Sequence, residues 1–371
     1  MAFFSSFFKK GESTALGVDI GYSAIKIVQI KKKNGQAVLE TYGELALGPY
    51  AGLTIGQAVA LPPDKIAQAL VDLMKEKEVG VSTNKCGISI PSSSSLMSVV
   101  EMPEVSAKQL SVMVPLEARK YIPVPISEVM LDWSIIPKSE VQAEVQEDDT
   151  TPASPLPIAK IDVLVVAIHN ETIARYQDIV AKAGLEAGFF EIEIFSTMRA
   201  VLDDTLRPVM IMDIGAASTK LYVIERGIIR SSHTVNRGSQ DITTTISKSL
   251  SITPERAEIM KRQVGLMGED KNMTDAIVLT LDYIFAEVNN TILAFEKKYN
   301  RAISKVILVG GGSALKGLSD LAKNSFKAEV VSADPFNKVS APAFLEKILR
   351  ETGPEFAVAI GLALRRLGEE E

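Results

Sequence analysis

Two aspartates, Asp19 and Asp213, each begin the same short pattern in this sequence. Each is followed by isoleucine and glycine, and a lysine lies seven positions after the aspartate, Lys26 in the first copy and Lys220 in the second. The glycine lets the backbone approach an anion closely, and successive N–H groups at such a turn form an anion-binding concavity. The aspartate suits hydrated Mg²⁺, which takes few carboxylates and keeps several waters. Two such turns facing each other would clamp a nucleoside triphosphate.

Apolar runs place both aspartates at the ends of predicted strands. Residues 15–18 lead into Asp19, residues 209–212 lead into Asp213, and another β-rich run follows each turn. This order predicts a strand, a tight glycine turn and a second strand. One copy alone would favour an ordinary hairpin with an Asx-type turn. The equal spacing from aspartate to lysine in two copies favours the clamp.

A third glycine-rich segment follows the predicted buried strand at residues 306–309. It contains Gly310, Gly311, Gly312 and Ser313, and a helix is predicted to start directly after it. Consecutive glycines permit close approach of a flat ligand, and a helix N-terminus favours negative charge. The segment is therefore the third element that a nucleotide clamp needs.

These three segments, in this order, resemble the actin-like ATPase superfamily, which has two phosphate loops and a later glycine-rich adenosine loop. The resemblance runs over nearly the whole chain. It implies an α/β fold in which two related ribonuclease-H-like domains, each split into subdomains, close on the cofactors ATP and Mg²⁺. It also implies a small α+β insert in the first domain, as in the FtsA and PilM branches.

One stretch of the predicted insert is more specific than the glycine loops. Glu117 is followed by Tyr121-Ile122-Pro123-Val124-Pro125 and then by Val129-Met130-Leu131-Asp132-Trp133. This run resembles the type IV pilus assembly protein PilM branch of the superfamily, whereas the FtsA insert has a different sequence. The structural alternative, a helix end and a strand with buried Tyr121 and Trp133, is compatible with the resemblance.

The resemblance also implies a division of the chain. The expected parts are an N-terminal tail (1–11), the first actin-like domain (12–91 and 188–207), the insert (92–187, with an acidic loop at 138–160), the second domain (208–238 and 303–352), a helical nucleotide-edge subdomain (239–302) and a C-terminal connecting helix (353–371).

Most of the expected nucleotide contacts follow from the same resemblance. They are Asp19, Gly21, Tyr22, Ser23, Lys26, Asp213, Gly215, Ala216, Ala217, Gly238, Glu258, Lys261, Gly310, Gly311, Gly312 and Ser313. Asp19 and Asp213 are expected to hold Mg²⁺ through water. For several positions a purely structural interpretation stays open: Lys26 pointing out of its strand, Gly238 as a plain N-cap, and Glu258 with Lys261 as a surface ion pair.

Glu193 is the one catalytic candidate, because hydrolysis needs a positioned water. It aligns with a glutamate that PilM-like and FtsA-like chains carry near the γ-phosphate. The alternative is a glutamate in the first helical turn that the helix dipole favours. Slow hydrolysis or none is expected, with ATP setting domain closure.

Composition excludes several classes of protein. The 371 residues are 46% hydrophobic and 23% charged, which describes a globular protein with two or more domains. A net charge of −6 argues against nonspecific nucleic-acid binding. Cys86 is the only cysteine, so no intrachain disulfide is possible and a reducing compartment fits. It is expected to be a small buried residue in a strand.

No apolar run approaches the ~20 residues that span a bilayer, so the sequence predicts a cytoplasmic chain. Phe3, Phe4, Phe7 and Phe8 lie before two lysines near the N-terminus. Three interpretations stay open for this segment: an interfacial anchor, a segment packed on the body, or a loose tail.

The resemblance implies an ATP-binding component of the type IV pilus assembly platform, cytoplasmic and peripheral at the inner membrane. The expected partner is the cytoplasmic N-terminal tail of a PilN-like membrane protein, in a groove between the first domain and the insert. Other platform proteins, motor ATPases and a second copy of the chain are further expected partners, and membrane association is expected to be indirect. The alternatives are an FtsA-like filament and an actin-fold ATPase or kinase.

Overall fold

The computed structural model describes residues 13–136, 159–203 and 206–369. Within these ranges the strands form two five-stranded sheets and one three-stranded sheet. The predicted N-terminal tail (1–11) and all but the last two residues of the predicted acidic loop (138–160) lie outside them.

The first five-stranded sheet surrounds the first Asp-Ile-Gly turn. Its strands are β1 (Thr14–Ile20), β2 (Ala24–Lys33), β3 (Gln36–Ala46), β4 (Lys85–Ile90) and β8 (Glu186–Ile192). They lie in the order β3-β2-β1-β4-β8, with β1 antiparallel to β2 and parallel to β4. Asn34 and Gly35 both have positive φ in the β2–β3 hairpin, as an Asn-Gly two-residue turn requires. Cys86 is buried in β4, as predicted.

The second five-stranded sheet repeats this topology. Its strands are β9 (Val209–Ile214), β10 (Thr219–Glu225), β11 (Ile228–Val235), β12 (Lys305–Val309) and β13 (Glu329–Ser332). They lie in the order β11-β10-β9-β12-β13, with β9 antiparallel to β10 and parallel to β12. Each sheet therefore places its Asp-Ile-Gly turn at the end of its central strand.

The three-stranded sheet lies in the predicted insert. It consists of β5 (Ser95–Pro103), β6 (Val129–Ile136) and β7 (Lys160–His169), in the antiparallel order β5-β7-β6. Helix α2 (Ala107–Ala118) packs its buried side chains into the same core and contains Pro115 without ending there. The interpretation that buries Tyr121 is wrong, because the chain beyond α2 runs along the surface and leaves this side chain 49% exposed. Trp133 packs partly buried against the core.

Two helices pack against the first sheet. Helix α1 (Pro63–Lys75) and helix α3 (Asn170–Lys182) contribute their buried residues to the core that contains β1 and β4. Helix α3 lies within the predicted insert range 92–187, yet it packs with this sheet. Asn170 is the first residue of α3, and its side-chain amide donates to the Ser127 carbonyl oxygen at 2.9 Å.

Two further helices connect the halves of the molecule. Helix α4 (Glu193–Val201) follows β8, and helix α10 (Ala357–Gly368) returns to pack on β1 and β2. They cross where Gly361 approaches α4 so closely that an added Cβ would lie 1.9 Å from the Ser196 carbonyl oxygen. Glycine is required at this crossing because any side chain would collide with backbone.

Four further helices pack with the second sheet. They are α5 (Ser239–Leu250), α6 (Pro254–Gln263), α7 (Lys271–Tyr299) and α8 (Leu318–Ser325). Helix α9 (Glu346–Thr352) precedes α10, and its buried Leu349 belongs to the core that contains residues of β1 and β2. The expectation that no apolar run approaches membrane-spanning length is wrong for α7, which is long and apolar enough to span a bilayer by length and composition. Its buried residues, however, belong to the apolar core of the second sheet. In this structure α7 is therefore the central helix of a folded core.

The helix predicted to start directly after the triple glycine begins later, whereas α7 begins at a capped residue. Helix α7 starts at Lys271, where the Asp270 side chain caps it by accepting from the Met273 N–H. The triple glycine leads into a short 3₁₀ turn, Gly311–Ala314, and α8 begins only at Leu318. Gly317 precedes α8 with a φ of 83°, a left-handed conformation that redirects the chain.

Candidate functional site

The two Asp-Ile-Gly turns and the triple glycine line one cavity of about 310 Å³. This volume lies at the lower end of the range for small-molecule sites. The cavity brings together most of the residues predicted from the sequence: Asp19, Gly21, Tyr22, Ser23, Lys26, Glu193, Asp213, Gly215, Ala216, Ala217, Glu258, Lys261, Gly310, Gly311 and Gly312.

Gly238 and Ser313 lie just behind the lining. An added Cβ on Gly238 would lie 2.4 Å from the Ala216 carbonyl oxygen, so this glycine lets the start of α5 pack under the second turn. The Ser313 hydroxyl donates to the Gly310 carbonyl oxygen at 2.7 Å and holds the glycine loop in shape. Both residues support the cavity wall from outside.

The first turn presents the Asp19 carboxylate, whose negative charge is only partly balanced by the groups around it. The Gly21 N–H donates to the Ala24 carbonyl oxygen at 3.0 Å, which closes the turn. The Asp19 carboxylate accepts from the Ser89 hydroxyl at 2.8 Å. Burial raises the pKa of Asp19 to about 6, although the charge of Lys26 opposes the shift. The site therefore favours a cation beside Asp19.

The second turn is built around an ion pair. The Lys220 ammonium lies 2.5 Å from a Glu193 oxygen and 3.8 Å from a carboxylate oxygen of Asp213. Burial raises the pKa of Asp213, and the negative charge of Glu193 adds to the shift, whereas Lys220 opposes it. Asp213 resembles Asp19 in this respect, and both carboxylates face the same cavity.

Glu193 is held in its ionised form. Burial disfavours its charge, but the Lys220 ammonium and hydrogen bonds from Lys220 and Ser92 outweigh that effect, so the pKa of Glu193 lies below its usual value. Its Oε1 atom accepts both from Lys220 and from the Ser92 backbone N–H, the latter at 2.9 Å. A carboxylate held in this way is a weak proton acceptor.

The residues present fit a hydrated divalent cation. Among the described residues no group of three or more histidine, cysteine and acidic side chains is arranged to hold a metal directly. Two partly buried carboxylates with raised pKa values, those of Asp19 and Asp213, face one cavity instead. This donor set suits Mg²⁺, which retains waters and binds through one or two carboxylates together with phosphate oxygens.

The opposite wall contains a buried polar cluster. Glu258 lies 2.7 Å from Lys261 and accepts from the Thr243 hydroxyl at 2.6 Å, and Lys261 also donates to the Ser239 carbonyl oxygen at 3.1 Å. Glu258 is 5% exposed and Lys261 is 7% exposed, so the pair is not on the surface. Burial lowers the pKa of Lys261, although the charge of Glu258 opposes the shift.

Several cavity residues were not predicted from the sequence. Glu44 on β3 lies 3.4 Å from Lys26, which therefore points into the cavity rather than away from it. Glu355 lines the cavity just before α10, and its burial, with the charge of Glu44 adding to the effect, raises its pKa to about 6. Neither glutamate belongs to a sequence pattern, because both reach the cavity through tertiary packing.

A loop from the first half of the chain touches the second half across the cavity. An added Cβ on Gly56 would lie 2.5 Å from a Glu258 oxygen, and the Ala58 N–H donates to the Gln240 side-chain oxygen at 3.1 Å. Neither contact was predicted from the sequence. The glycine in this loop was the one available signal of a close approach.

Comparison with known proteins identifies the family. A family model described as type IV pilus assembly protein PilM matches residues 17–367. The chain belongs to the PilM family. A solved structure, the PilM-PilN type IV pilus biogenesis complex, is 26% identical with a TM-score of 0.77, and the match covers 95% of this chain and 98% of that one. The fold is therefore the actin-like α/β fold that the sequence predicted.

Cell division proteins named FtsA are also similar in sequence to this PilM family member. The FtsA of Neisseria meningitidis is 24% identical over 86% of this chain and 82% of its own length. The FtsA of Bacillus subtilis is 23% identical over 59% of this chain and 55% of its own length. The match thus spans about half the length of the latter relative, and the PilM family model, which covers almost the whole chain, decides the assignment.

Proposed function

We propose that this chain is an ATP-binding adaptor of the type IV pilus assembly platform, in which nucleotide sets the conformation that binds a membrane partner. The observation that carries the nucleotide part is the convergence of both Asp-Ile-Gly turns, the triple glycine and the Glu258–Lys261 pair on one cavity. These features lie far apart in the sequence, and a nucleoside triphosphate needs all of them at once.

Each wall has a role in this proposal. The Gly21 and Gly215 N–H groups close the two turns, so the backbone N–H groups of residues 22–23 and 216–217 bind the β- and γ-phosphates. Lys26 neutralises part of the phosphate charge. The glycine loop at 310–313 and the Glu258–Lys261 pair frame the nucleoside. Asp19 and Asp213 hold the waters of Mg²⁺, which neutralises the phosphate charge when it is bound.

The same geometry favours slow ATP hydrolysis or none. Glu193 is the only residue that we assign to positioning the attacking water, and its carboxylate is already engaged by Lys220 and Ser92. With a pKa below the usual value, it is poorly suited to accept a proton. We therefore propose that ATP acts mainly as a ligand that biases domain closure.

The membrane partner in this proposal is a PilN-like protein. The PilM-PilN complex, 26% identical to this chain over 95% of its length, supports it. We propose that the cytoplasmic N-terminal tail of that protein binds as an extended peptide in a groove between the first domain and the insert, which contains the three-stranded sheet. This partner would place the chain at the cytoplasmic face of the inner membrane. Contacts with other platform proteins, with motor ATPases and with a second copy of the chain stay predictions.

A peptide titration tests the adaptor proposal. The labelled N-terminal tail of the PilN-like protein from the same genome is titrated with the full chain by fluorescence anisotropy, with and without Mg-ATP. A peptide of the same composition in scrambled order is the control. We expect saturable binding of the native peptide alone, with an affinity that Mg-ATP changes. No saturable binding in either condition would contradict the partner assignment.

A further inference from the structure

A turn of three serines joins the first five-stranded sheet to the three-stranded sheet. It is the 3₁₀ turn Ser92–Ser94, which we call the serine turn, and it lies between β4 and β5. The proposed nucleotide contacts do not include it.

The serine turn contacts two residues of the cavity wall, Glu193 and Tyr22, and one residue of the second sheet, Tyr222. The Ser92 N–H donates to Glu193 Oε1 at 2.9 Å, at the start of α4. The Tyr222 hydroxyl, on β10 of the second sheet, donates to the Ser92 hydroxyl at 2.6 Å. The Ser93 hydroxyl and the Tyr22 hydroxyl, the latter in the first Asp-Ile-Gly turn, are hydrogen-bonded at 2.8 Å.

Lys220 extends this network to the second Asp-Ile-Gly turn. Its ammonium contacts the same Glu193 oxygen that Ser92 contacts, and it lies 3.8 Å from Asp213. Tyr222 lies two positions after Lys220 on β10 and contacts Ser92. The serine turn is thus one hydrogen bond from Tyr22 in the first turn. It is two hydrogen bonds from Lys220, whose ammonium lies 3.8 Å from Asp213 in the second turn.

The three-stranded sheet itself rests on the second half of the molecule. Met97 of β5 and Val166 and Ile168 of β7 pack against the apolar cluster that the second sheet shares with the connecting helices α4 and α10. Arg230 on β11 lies 3.9 Å from Asp162 on β7. The serine turn therefore fixes the three-stranded sheet where β5 begins, and the second half of the molecule contacts it along β5 and β7. A relative movement of the two five-stranded sheets has to change at least one of these contacts.

We propose that the serine turn couples the occupancy of the nucleotide cavity to the position and rigidity of the three-stranded sheet. This inference rests on the proposed function, since it requires that the cavity binds nucleotide. Phosphates between the two turns contact groups next to Tyr22, Glu193 and Lys220, and these side chains pass the change to Ser92 and Ser93. A ligand shifts such an equilibrium only through contacts that differ between the two states. The serine turn supplies contacts of that kind.

Backbone amide hydrogen exchange of the full chain tests the coupling without a partner protein. Exchange is measured in β5, β6 and β7 with and without saturating Mg-ATP, and the affinity for Mg-ATP is measured by calorimetry. In the unmodified chain we expect Mg-ATP to slow exchange in these strands by about fivefold or more, the lower end of typical coupling between sites.

Two variants remove the hydrogen bonds of the serine turn singly. Tyr222→Phe deletes the hydroxyl that donates to Ser92 and keeps the ring, whereas Ser93→Ala deletes the bond to Tyr22. Ser94→Ala is the matched control, because Ser94 lies in the same turn and its side chain makes neither bond. We expect both variants to keep an affinity for Mg-ATP within about threefold and to show less than about twofold slowing of exchange. Ser94→Ala should behave like the unmodified chain.

The outcomes distinguish a failure of the proposed coupling from a failure of the proposed nucleotide site. If the unmodified chain binds Mg-ATP and exchange in the three strands does not change, the coupling is overturned while the nucleotide site stands. The coupling is also overturned if both variants keep the full slowing of exchange. If the chain binds no Mg-ATP, the proposed function fails, and this inference fails with it. Ser93→Ala keeps the test valid if Tyr222→Phe does not fold.

Discussion

The Lys220 ammonium lies 2.5 Å from the Glu193 carboxylate, across the boundary between the second sheet and the start of α4. Both side chains are largely buried. The pair joins the second Asp-Ile-Gly turn to the helix that connects the halves of the molecule. It also occupies the carboxylate that would otherwise be free to position a water for hydrolysis.

Removing Glu193 should destabilise the protein. Glu193→Ala leaves the buried Lys220 ammonium with only the more distant Asp213, and we expect a loss of about 2–3 kcal/mol in the free energy of unfolding. Urea denaturation measures it. Glu171→Ala is the control, because Glu171 is an exposed first-turn glutamate of α3.

Steady-state ATP hydrolysis should be slow in the unmodified chain. Rapid hydrolysis that Glu193→Ala abolishes would contradict the role given to this residue.

Releasing Lys26 from Glu44 should strengthen phosphate binding. The two charges lie 3.4 Å apart in the cavity, so phosphate has to compete with the Glu44 carboxylate for the ammonium. For Glu44→Gln we expect the affinity for Mg-ATP, measured by calorimetry, to rise about two- to tenfold. Glu40→Gln is the control, because Glu40 lies on the same strand and pairs with Lys31 at 3.0 Å. Weaker binding by Glu44→Gln would show that Glu44 itself contacts the nucleotide.

Glu355 should make stability depend on pH. The pKa of Glu355 is about 6 in the folded chain, above the ordinary value of 4.5, so folding favours the protonated carboxyl group. This contribution to stability is complete below about pH 4.5 and is lost as the pH rises through 6 and the group ionises. Glu355→Gln cannot ionise. Without nucleotide at pH 7.5, we expect the free energy of unfolding of Glu355→Gln to be about 2 kcal/mol higher than that of the unmodified chain. The reason is that each unit of pKa shift corresponds to about 1.4 kcal/mol.

The same comparison at pH 4.5 should show almost no difference between the two chains. Urea denaturation at both values of pH provides the measurement. Glu351→Gln, which replaces an exposed glutamate of α9, is the control and should have little effect at either pH. A difference of equal size at pH 4.5 and pH 7.5 would mean that ionisation of Glu355 does not cause it.

The crossing of α4 and α10 should tolerate only glycine at position 361. A Cβ there would lie 1.9 Å from the Ser196 carbonyl oxygen, so Gly361→Ala has to push the two connecting helices apart. We expect a loss of about 2 kcal/mol or more and a lower melting temperature. Gly368→Ala, at the end of the same helix, has no atom within 4 Å of the added Cβ and should be neutral or slightly stabilising. Equal effects of the two substitutions would exclude crowding at the crossing as the cause.

Local patterns were enough to predict the elements that surround the cavity. Asp19, Asp213 and the glycines after them belong to turns whose geometry depends on neighbouring residues, and the triple glycine is equally local. The equal spacing to Lys26 and Lys220 also revealed that the two sheets are counterparts. The Glu258–Lys261 pair lies on one helix face, so its spacing could be read from the sequence.

The contacts between these elements could not be predicted in this way. Glu44, Glu355 and Gly56 reach the cavity from three separate parts of the chain, and no spacing links them to the turns. The bonds from Ser92 to Glu193 and Tyr222 span 101 and 130 positions of sequence. The resemblance to the PilM family identified the fold, but it did not indicate that Lys220 would pair with Glu193. Such pairings depend on how the two sheets pack.

Calorimetric titration of the full chain with Mg-ATP tests the central claim most directly. The account predicts saturable binding to one site by the unmodified chain and at least tenfold weaker binding by Asp213→Asn, because the variant loses the carboxylate that holds the hydrated cation. Asp282→Asn, which replaces an exposed aspartate on α7, should bind like the unmodified chain. Absence of binding by the unmodified chain, or full affinity in Asp213→Asn, would contradict the assignment of the cavity as an ATP site.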